Sequence, residues 1–431
     1  MNDQRNLIIA IVFSVTILLG FQFLYEKPKQ EREQARQAEI AAQTTPTTTP
    51  PATAAPPAAP AREPRPGDAS VQAPAPLPSS APRPELPQTA PQPATPPSAV
   101  IVKTGPRLEI RGTRLAGSIA LKGGRLDDLT LIDYFETIDP GSAPITLFAP
   151  VGSKAPYFAE FGWVADNRAV KLPDATTLWR ADRSVLASEK PVTLTWDNGQ
   201  GLSFFRTYSL DNNYMFSITQ RVQNRGNTAV TLFPYGLVSR TGTPKTLGFY
   251  ILHEGPIGVL QGTLEEVDYD DLQEAKTIKN TTTGGWIGIT DKYWLAALAP
   301  DQKEKVTTRF VHSLQGKSDR YQADTLGQGQ ILAPGGNITV ASHLFTGAKE
   351  VKLLDSYAKT LDIQRFDLAI DFGWFYFLTK PFFYALDFFN THLGNFGLSI
   401  LLLTVIIKIL FFPLANKSYR SMSAMKKLQP K

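Results

Sequence analysis

The side chain in this sequence best placed to do chemistry is Lys408. It is the only charge in the 19-residue run Phe396–Leu414, which is otherwise built of Phe, Gly, Leu, Ser, Ile, Thr, Val and Pro. A run of that length is about what an α-helix needs to cross ~30 Å of hydrocarbon. Lys408 stands six residues before its end, roughly 9 Å inside at ~1.5 Å per residue. An ammonium on a lipid-facing helix at that depth costs about 2.5–3.5 kcal/mol even on the most lenient scale. Two readings account for it. A lysine near a helix end can stretch its stem and place the charge among headgroups. Alternatively, the charge faces a wet, protein-lined recess. The neighbours favour the recess: Thr404, then Ile400 or Leu401, then Gly397 precede Lys408 at helical spacing, so a narrow small-or-polar stripe shares its face. The chemistry open to such a stripe is electrostatic. A carboxylate ~4 Å from the ammonium, at an effective dielectric near 20, gains about 4 kcal/mol before desolvation.

Other chemistries find little support. The chain has no cysteine, which removes disulfides, thiolate nucleophiles and Cys-ligated metals. Its four histidines, His253, His312, His343 and His392, are far apart, and none belongs to an HxH or HxxxH pair. No GxGxxG or GxxxxGK phosphate loop is present. Neither a cofactor nor a metal is expected. His253-Glu254 is the only adjacent acid/base couple, and neighbours in a strand point to opposite faces. The reading is of a protein that is not an enzyme.

The elements that must position Lys408 follow from charge and periodicity. The net charge of +5 is local: Lys417, Arg420, Lys426, Lys427 and Lys431 follow the apolar run with no acid among them, leaving 39 basic against 39 acidic residues elsewhere. Lys and Arg concentrate on the cytoplasmic side of membrane helices, which places residues 415–431 inside. The same charges suit anionic headgroups at ~1 kcal/mol each. Nucleic-acid binding is not expected, because no basic surface appears outside this segment. Near the other end, Leu7–Leu24 is a second apolar run that continues into Phe-Gln-Phe-Leu-Tyr-Glu-Lys without a small-x-small cleavage site. It reads as an uncleaved signal anchor rather than a signal peptide. Both ends are then cytoplasmic, and residues 26–395 lie outside.

In the exported region, 18 of the 34 prolines fall between Pro46 and Pro97, mixed with Ala and Thr, as in a disordered, extended tether. From about Val100 the period becomes two. Val192/Leu194/Trp196, Leu202/Phe204/Arg206/Tyr208, Phe216/Ile218/Gln220/Val222 and Ile338/Val340/Ser342/Leu344 alternate with neighbours of the other kind. Between the runs stand Lys122-Gly-Gly-Arg125, Asp197-Asn-Gly-Gln-Gly201, Asn224-Arg-Gly-Asn227 and Pro334-Gly-Gly-Asn337. This pattern predicts a large antiparallel β-sandwich. Val351, Leu353, Leu354, Tyr357 and Leu361 then predict a short helix packed on it. The stretch Phe366–Leu393 is crowded with aromatics, including Trp374, Phe375, Phe382, Phe383 and Phe389; Lys380, Tyr384, Asp387 and Thr391 line the opposite face. A helix with one greasy aromatic face lies in the membrane interface. A second crossing is the alternative, opposed by its four charged residues and by the charge topology.

These residues resemble a known family. Met1-Asn-Asp-Gln-Arg-Asn-Leu7, Phe366-Asp-Leu-Ala-Ile-Asp-Phe-Gly-Trp-Phe-Tyr-Phe-Leu-Thr-Lys-Pro-Phe-Phe383, Gly394-Asn-Phe-Gly-Leu-Ser-Ile400, Leu403-Thr-Val-Ile-Ile-Lys-Ile-Leu-Phe-Phe-Pro-Leu414 and Tyr419–Lys431 are similar to the YidC/Oxa/Alb membrane insertases in their Gram-negative form. The resemblance covers essentially the whole chain. It implies a mixed fold: an N-terminal transmembrane helix, a periplasmic β-super-sandwich of the shape seen in mutarotases, an interfacial helix, and an α-helical insertase core whose hydrophilic groove carries one basic residue, usually arginine. Lys408 is the matching position. Lysine keeps the charge but not the bidentate fork. The implied organisation is residues 1–5 cytoplasmic, 6–25 anchor, 26–99 tether, 100–347 periplasmic sandwich, 348–362 connecting helix, 363–394 interfacial helix, 395–414 second transmembrane helix and 415–431 the start of a cytoplasmic helical hairpin. Stopping there, the chain is expected to be a fragment lacking the later groove helices. The implied partners are nascent membrane proteins, Sec translocon components, membrane lipids and, through the cytoplasmic parts, the ribosome or targeting factors. Two rivals remain open: a membrane-tethered mutarotase-like enzyme, and a periplasmic binding or scaffold module that the helices merely anchor.

Overall fold

The computed structural model describes residues 105–139, 141–246, 252–373 and 375–428, with side chains as far as 422. The expected cytoplasmic N-terminus, signal anchor and tether therefore lie outside the described residues, as do Trp374 and Lys431. The chain divides between Ala385 and Leu386 into two compact units.

The first unit is built from alternation. Within strand Leu202–Leu210 the residues Leu202, Phe204, Arg206, Tyr208 and Leu210 are all buried, and strand Met215–Asn224 buries Phe216, Ile218, Gln220, Val222 and Asn224. Side chains that alternate in this way give a strand one core face and one outer face. Strand Met215–Asn224 pairs antiparallel with Leu202–Leu210 on one side and Asn337–Ala348 on the other. These lie at the centre of a nine-stranded sheet running from Thr263–Glu266 to Arg180–Ala181. An eleven-stranded sheet lies against it, with the order Thr277–Thr283, Lys305–Gln315, Ser318–Leu326, Val230–Thr241, Tyr157–Ala165, Arg125–Phe135, Leu115–Ala120, Arg107–Arg111, Val185–Ala187, and two short strands off this path. The two sheets share one hydrophobic core, which includes Phe161, Tyr208, Phe216, Val238, Leu298 and Phe345. A short helix, α1 (Tyr269–Ala275), interrupts the strands; it buries Tyr269 and Leu272 three residues apart and places Asp270 and Asp271 at its N-terminal turn.

Arg206 is the polar member of the core alternation, and its partners explain it. It is 2% exposed, yet no carboxylate pairs with it among the described residues. Its guanidinium crosses to the opposite sheet, donating to the carbonyl oxygens of Gly124 (2.8 Å) and Phe161, and stacks over the Trp179 ring at 4.7 Å. Tyr208 donates to the same Gly124 oxygen at 3.2 Å. Gly124 turns in the left-handed region (φ +63), where a Cβ would stand 2.7 Å from the Arg206 terminal nitrogen and 2.9 Å from Trp179 Nε1. Gly124→Ala is therefore expected to lower stability by about 2 kcal/mol, from left-handed strain and displaced guanidinium bonds. Chemical denaturation reads this directly.

Three elements follow the sheets. Helix α2 (Val351–Thr360) packs Leu354 and Tyr357 into the core. A 3₁₀ turn, Phe366–Ala369, buries Phe366 against Trp286 and Phe345 at ring distances of 5.4 and 5.5 Å. Helix α3 (Tyr376–Leu393) comes next. The single interfacial helix read over 363–394 is thus two pieces. Its first part completes the sandwich core, and Gly373, in the left-handed region at φ +71, separates it from α3. The second unit contains helix α4 (Phe396–Leu428), long and apolar enough over Phe396–Met422 to cross a membrane. With 33 residues it measures about 50 Å at ~1.5 Å per residue. It runs through Pro413 without a break, so the segment 415–428, read separately as the start of a hairpin, continues the helix of 395–414.

Candidate functional site

In α4 the groove candidates fall on one face at successive turns. Asn395 caps the helix: its side-chain oxygen accepts the Leu398 N–H at 3.1 Å, and its carbonyl accepts both the Ser399 N–H (3.1 Å) and hydroxyl (2.9 Å). Gly397 lies in this first turn. Thr404 donates its hydroxyl to the Ile400 carbonyl one turn back, at 2.7 Å. The hydroxyl is thereby satisfied within the helix, as is common for Thr in apolar surroundings, and softens the stripe without projecting a free donor. Lys408 is exposed and, among the described residues, has neither hydrogen bond nor ion pair. An uncompensated ammonium flanked by exposed Val405, Ile409, Phe411 and Phe412 is an attractor for a carboxylate. Lys417 and Arg420 follow on the exposed continuation of α4; Lys426 and Lys427 lie near its end, their side chains outside the described set.

In the first unit, Lys380 on the polar face of α3 is turned back onto the β domain, while Tyr384 on the same face stays partly exposed. Lys380 Nζ donates to Asp367 Oδ2 at 2.7 Å, to Asp355 Oδ1 on α2 at 3.1 Å and to the Tyr376 hydroxyl at 3.1 Å. Tyr376 in turn donates to Asp367 Oδ2 at 2.7 Å, and Tyr384 donates to Asp355 Oδ2. One cation thus ties α3 to both α2 and the 3₁₀ turn, and two tyrosines complete the ring. Burial alone would raise the Asp367 carboxyl, but hydrogen bonds from Lys380 and Tyr376 hold it below the usual carboxylate range. Burial works against the Lys380 ammonium, and the bonds to Asp367, Tyr376 and Asp355 more than offset it, so its pKa is raised. Burial and the bond to Asp355 push the Tyr384 hydroxyl up to about 12. The rest of this stretch is greasy: Phe377, Leu378 and Phe388 on α3, and Phe375 just before it, are exposed. Asp387 is half-buried and its carbonyl accepts the Thr391 hydroxyl at 2.9 Å.

Sequence reasoning found Lys380 and Tyr384 and missed Asp355, Asp367 and Tyr376. The available signal was Tyr376, Lys380 and Tyr384 at intervals of four, with the one acid of that face, Asp387, seven residues from the cation. The His253-Glu254 couple does not form an acid/base pair: His253 points its Nε2 at the Pro256 carbonyl (3.0 Å) and its Nδ1 towards Asp268 (3.6 Å). Among the described residues no group of His and carboxylates could hold a metal ion.

Two family models match the chain, one described as the YidC periplasmic domain over residues 107–385 and one as the 60Kd inner membrane protein over residues 388–431. The membrane protein insertase YidC of Methylobacterium nodulans is 46% identical over 440 residues, covering 100% of this chain and 68% of that protein. Its namesake in Bradyrhizobium diazoefficiens is 46% identical over 442 residues (100% and 69%). That of Rickettsia prowazekii is 40% identical over 430 residues (100% and 70%). Among solved structures, a galactose mutarotase related enzyme from Lactobacillus acidophilus is 10% identical with a TM-score of 0.37, covering 56% of this chain and 97% of that one. A galactose mutarotase-like protein from Lactobacillus casei is 11% identical with a TM-score of 0.36 (56% and 100%). Neither carries an argument at those scores.

Proposed function

The chain belongs to the YidC family of membrane protein insertases, inner-membrane proteins with a periplasmic domain, and from that premise we propose how its residues share the work. Lys408, with Thr404 and Gly397 on the same face of α4, forms part of a hydrophilic groove that receives a nascent membrane segment. An acidic exported tail is held by the ammonium part-way across the bilayer. The hydrophobic segment attached to it then slides into lipid, where burial of apolar surface at about 25 cal/mol per Å² completes transfer. The observation that carries this reading is one lysine, without a counterion among the described residues, inside an otherwise uncharged apolar helix.

Around this site we place an anchor at 6–25, with residues 1–5 in the cytoplasm, the tether 26–99, the periplasmic sandwich 100–347, the connecting segment 348–362 and the interfacial stretch 363–394 on the outer face. The crossing at 395–414 and the basic segment 415–431 follow on the inner side, giving a multi-pass topology. The partners are nascent membrane proteins, anionic lipid at Lys417 and Arg420, Sec components, and the ribosome or targeting factors at the basic end. The relatives are named insertases rather than enzymes, and no step in this scheme makes or breaks a covalent bond.

The test is an insertion assay in cells depleted of their own insertase, comparing substrates with acidic and neutral exported tails. Lys408→Ala is expected to lower insertion of the acidic-tailed substrate by about tenfold, the equivalent of 1.4 kcal/mol, and to leave the neutral one within twofold. Lys408→Arg is expected to retain activity, because the charge persists. Equal loss for both tails, or none for the acidic one, would overturn the electrostatic account.

A further inference from the structure

The outer face of the eleven-stranded sheet carries a row of charges from four strands. Lys279, Arg309, Asp324, Leu237 and Glu160 are successive register partners across the sheet, and Glu160 is bonded to Arg125 on the next strand. Two carboxylates in this row are fully engaged. Glu160 accepts the Arg125 Nε (2.9 Å) and terminal nitrogen (2.5 Å) and the Tyr235 hydroxyl (2.9 Å). Asp324 accepts a two-point contact from Arg309 at 2.9 and 3.1 Å and the Gln322 amide at 2.6 Å.

Four residues before Asp324 on strand Ser318–Leu326, opposite Thr241 and Ser313, stands Arg320, and no carboxylate among the described residues bonds to it. Its Nε donates to Ser239 Oγ at 2.8 Å and its NH2 to Gln322 Oε1 at 3.1 Å, both neutral. Among the described residues it makes no ion pair, although it is half-buried. The Arg125 guanidinium lies over the Phe158 ring at 4.2 Å, and Phe158 is the register partner of Ser239. The two guanidiniums therefore hang over neighbouring strands. Burial and then the charge of Arg125 push Arg320 below its usual value, while Glu160, already bonded to Arg125, pulls the other way more weakly. Half-burying a cation beside a second cation is unfavourable unless anions balance both. The terminal nitrogens of Arg320 present planar donors suited to a carboxylate.

We propose that Arg320, with Arg125 beside it, is a binding site for a carboxylate on an extended acidic peptide segment passing over the outer face of the eleven-stranded sheet. The chemistry of the row argues for carboxylate, because the two anions already held there are carboxylates gripped by the same guanidinium and hydroxyl or amide donors. The surroundings argue for a peptide. Val164 (46% exposed) and Ile331 (75% exposed) extend from the same face, beside the half-buried Phe233. They begin about 13 Å along the strand from Glu160, and they offer apolar contacts to the next residues of an extended chain. The site is independent of Lys408 and of the groove.

The test uses the full chain in nanodiscs of zwitterionic lipid and a fluorescent hexaglutamate peptide, with hexaglutamine as its neutral counterpart. Hexaglutamate is expected to bind, hexaglutamine not, with affinity falling as salt rises. Arg320→Gln is expected to weaken hexaglutamate binding at least tenfold. Glu160→Gln, which removes the competing internal anion from Arg125, is expected to tighten it severalfold. This second variant decides the matter if Arg320→Gln unfolds. Equal binding of the two peptides, an unchanged affinity in a folded Arg320→Gln, or weaker binding in Glu160→Gln would overturn the proposal.

Discussion

Replacing Lys349 by methionine is expected to stabilise the β domain by about 2 kcal/mol at pH 7. Lys349 precedes α2 and is half-buried, with its ammonium donating to one neutral acceptor, Thr290 Oγ1, at 2.9 Å. The carboxylate that most favours its charge, Asp291, is already engaged by Arg240 at 2.6 Å. Burial pulls the Lys349 pKa from its ordinary 10.5 to about 8, and the pull is only partly opposed by Asp291, Asp371, Glu254 and Glu266. The sign follows from proton counting. Between about pH 8 and 10.5 the unfolded chain keeps a proton that the folded chain has released, so stability rises with pH across that window. Below pH 8 the folded state carries the full penalty of a charge it cannot solvate. Methionine removes the charge and keeps much of the stem's length. Part of the gain is offset by loss of the hydrogen bond to Thr290, about 1 kcal/mol. Urea unfolding at pH 7 and pH 10 tests both halves: wild type gains stability at the higher pH relative to the variant, and the two converge there. A variant that is less stable at pH 7 would mean that Asp291 and its neighbours, not burial, dominate the site.

What could be read from the chain alone, and what could not, divides along the range of the interactions. The alternation of Leu202, Phe204, Arg206 and Tyr208 is local and was legible as a core-facing strand, down to the buried arginine in its third place. The Gly-rich turns were legible for the same reason, since Gly199 and Gly201 take left-handed angles (φ +70 and +92) that other residues avoid. Lys408 was legible because composition isolates it. The partners of Lys380 were not. Asp355 lies 25 residues away and Asp367 13, and nothing in the local pattern says that α2 and the 3₁₀ turn fold back on α3. An aromatic-rich stretch with a polar face reads as an interfacial helix whether that face meets water or two carboxylates. The crossing was bounded at 414 by hydropathy and by the basic residues after it, which says nothing of where the helix stops; Leu414, Ala415 and Lys417 are strong helix formers on the far side of Pro413. The missing hydrogen bond at Pro413 costs α4 something but does not end it.

Replacing Lys380 by methionine is expected to release the first turns of α3 from the β domain. The lysine side chain is 16% exposed, and its partners Asp355 and Asp367 are 18% and 21% exposed, so water screens the group only in part. Its removal leaves two carboxylates that had converged on one ammonium with no cation between them. Breaking a fully buried pair in this way costs about 3–5 kcal/mol; partial exposure brings the expected loss to about 2–3 kcal/mol. A loss of that size corresponds to roughly a hundredfold faster opening of local structure. The amides of 379–385 should therefore exchange about a hundredfold faster, while those of strand Met215–Asn224, in the middle of its sheet, keep their protection. The pH dependence separates electrostatics from packing. Asp367 is held below its ordinary 3.8, so its contribution is present above that pH and is lost as pH falls through the lowered value. Lys380 is raised above 10.5, so its contribution is present below that pH and lost only as pH rises through the raised value. Wild-type docking should be flat between pH 5 and 9. In the methionine variant, acidification below about pH 4 should partly restore protection by neutralising the carboxylates. Adding Asp355→Asn and Asp367→Asn should achieve the same at pH 7. If the triple variant exchanges as fast as Lys380→Met alone, the lysine acts through its apolar stem, and α3 is docked by its greasy face instead of its charge.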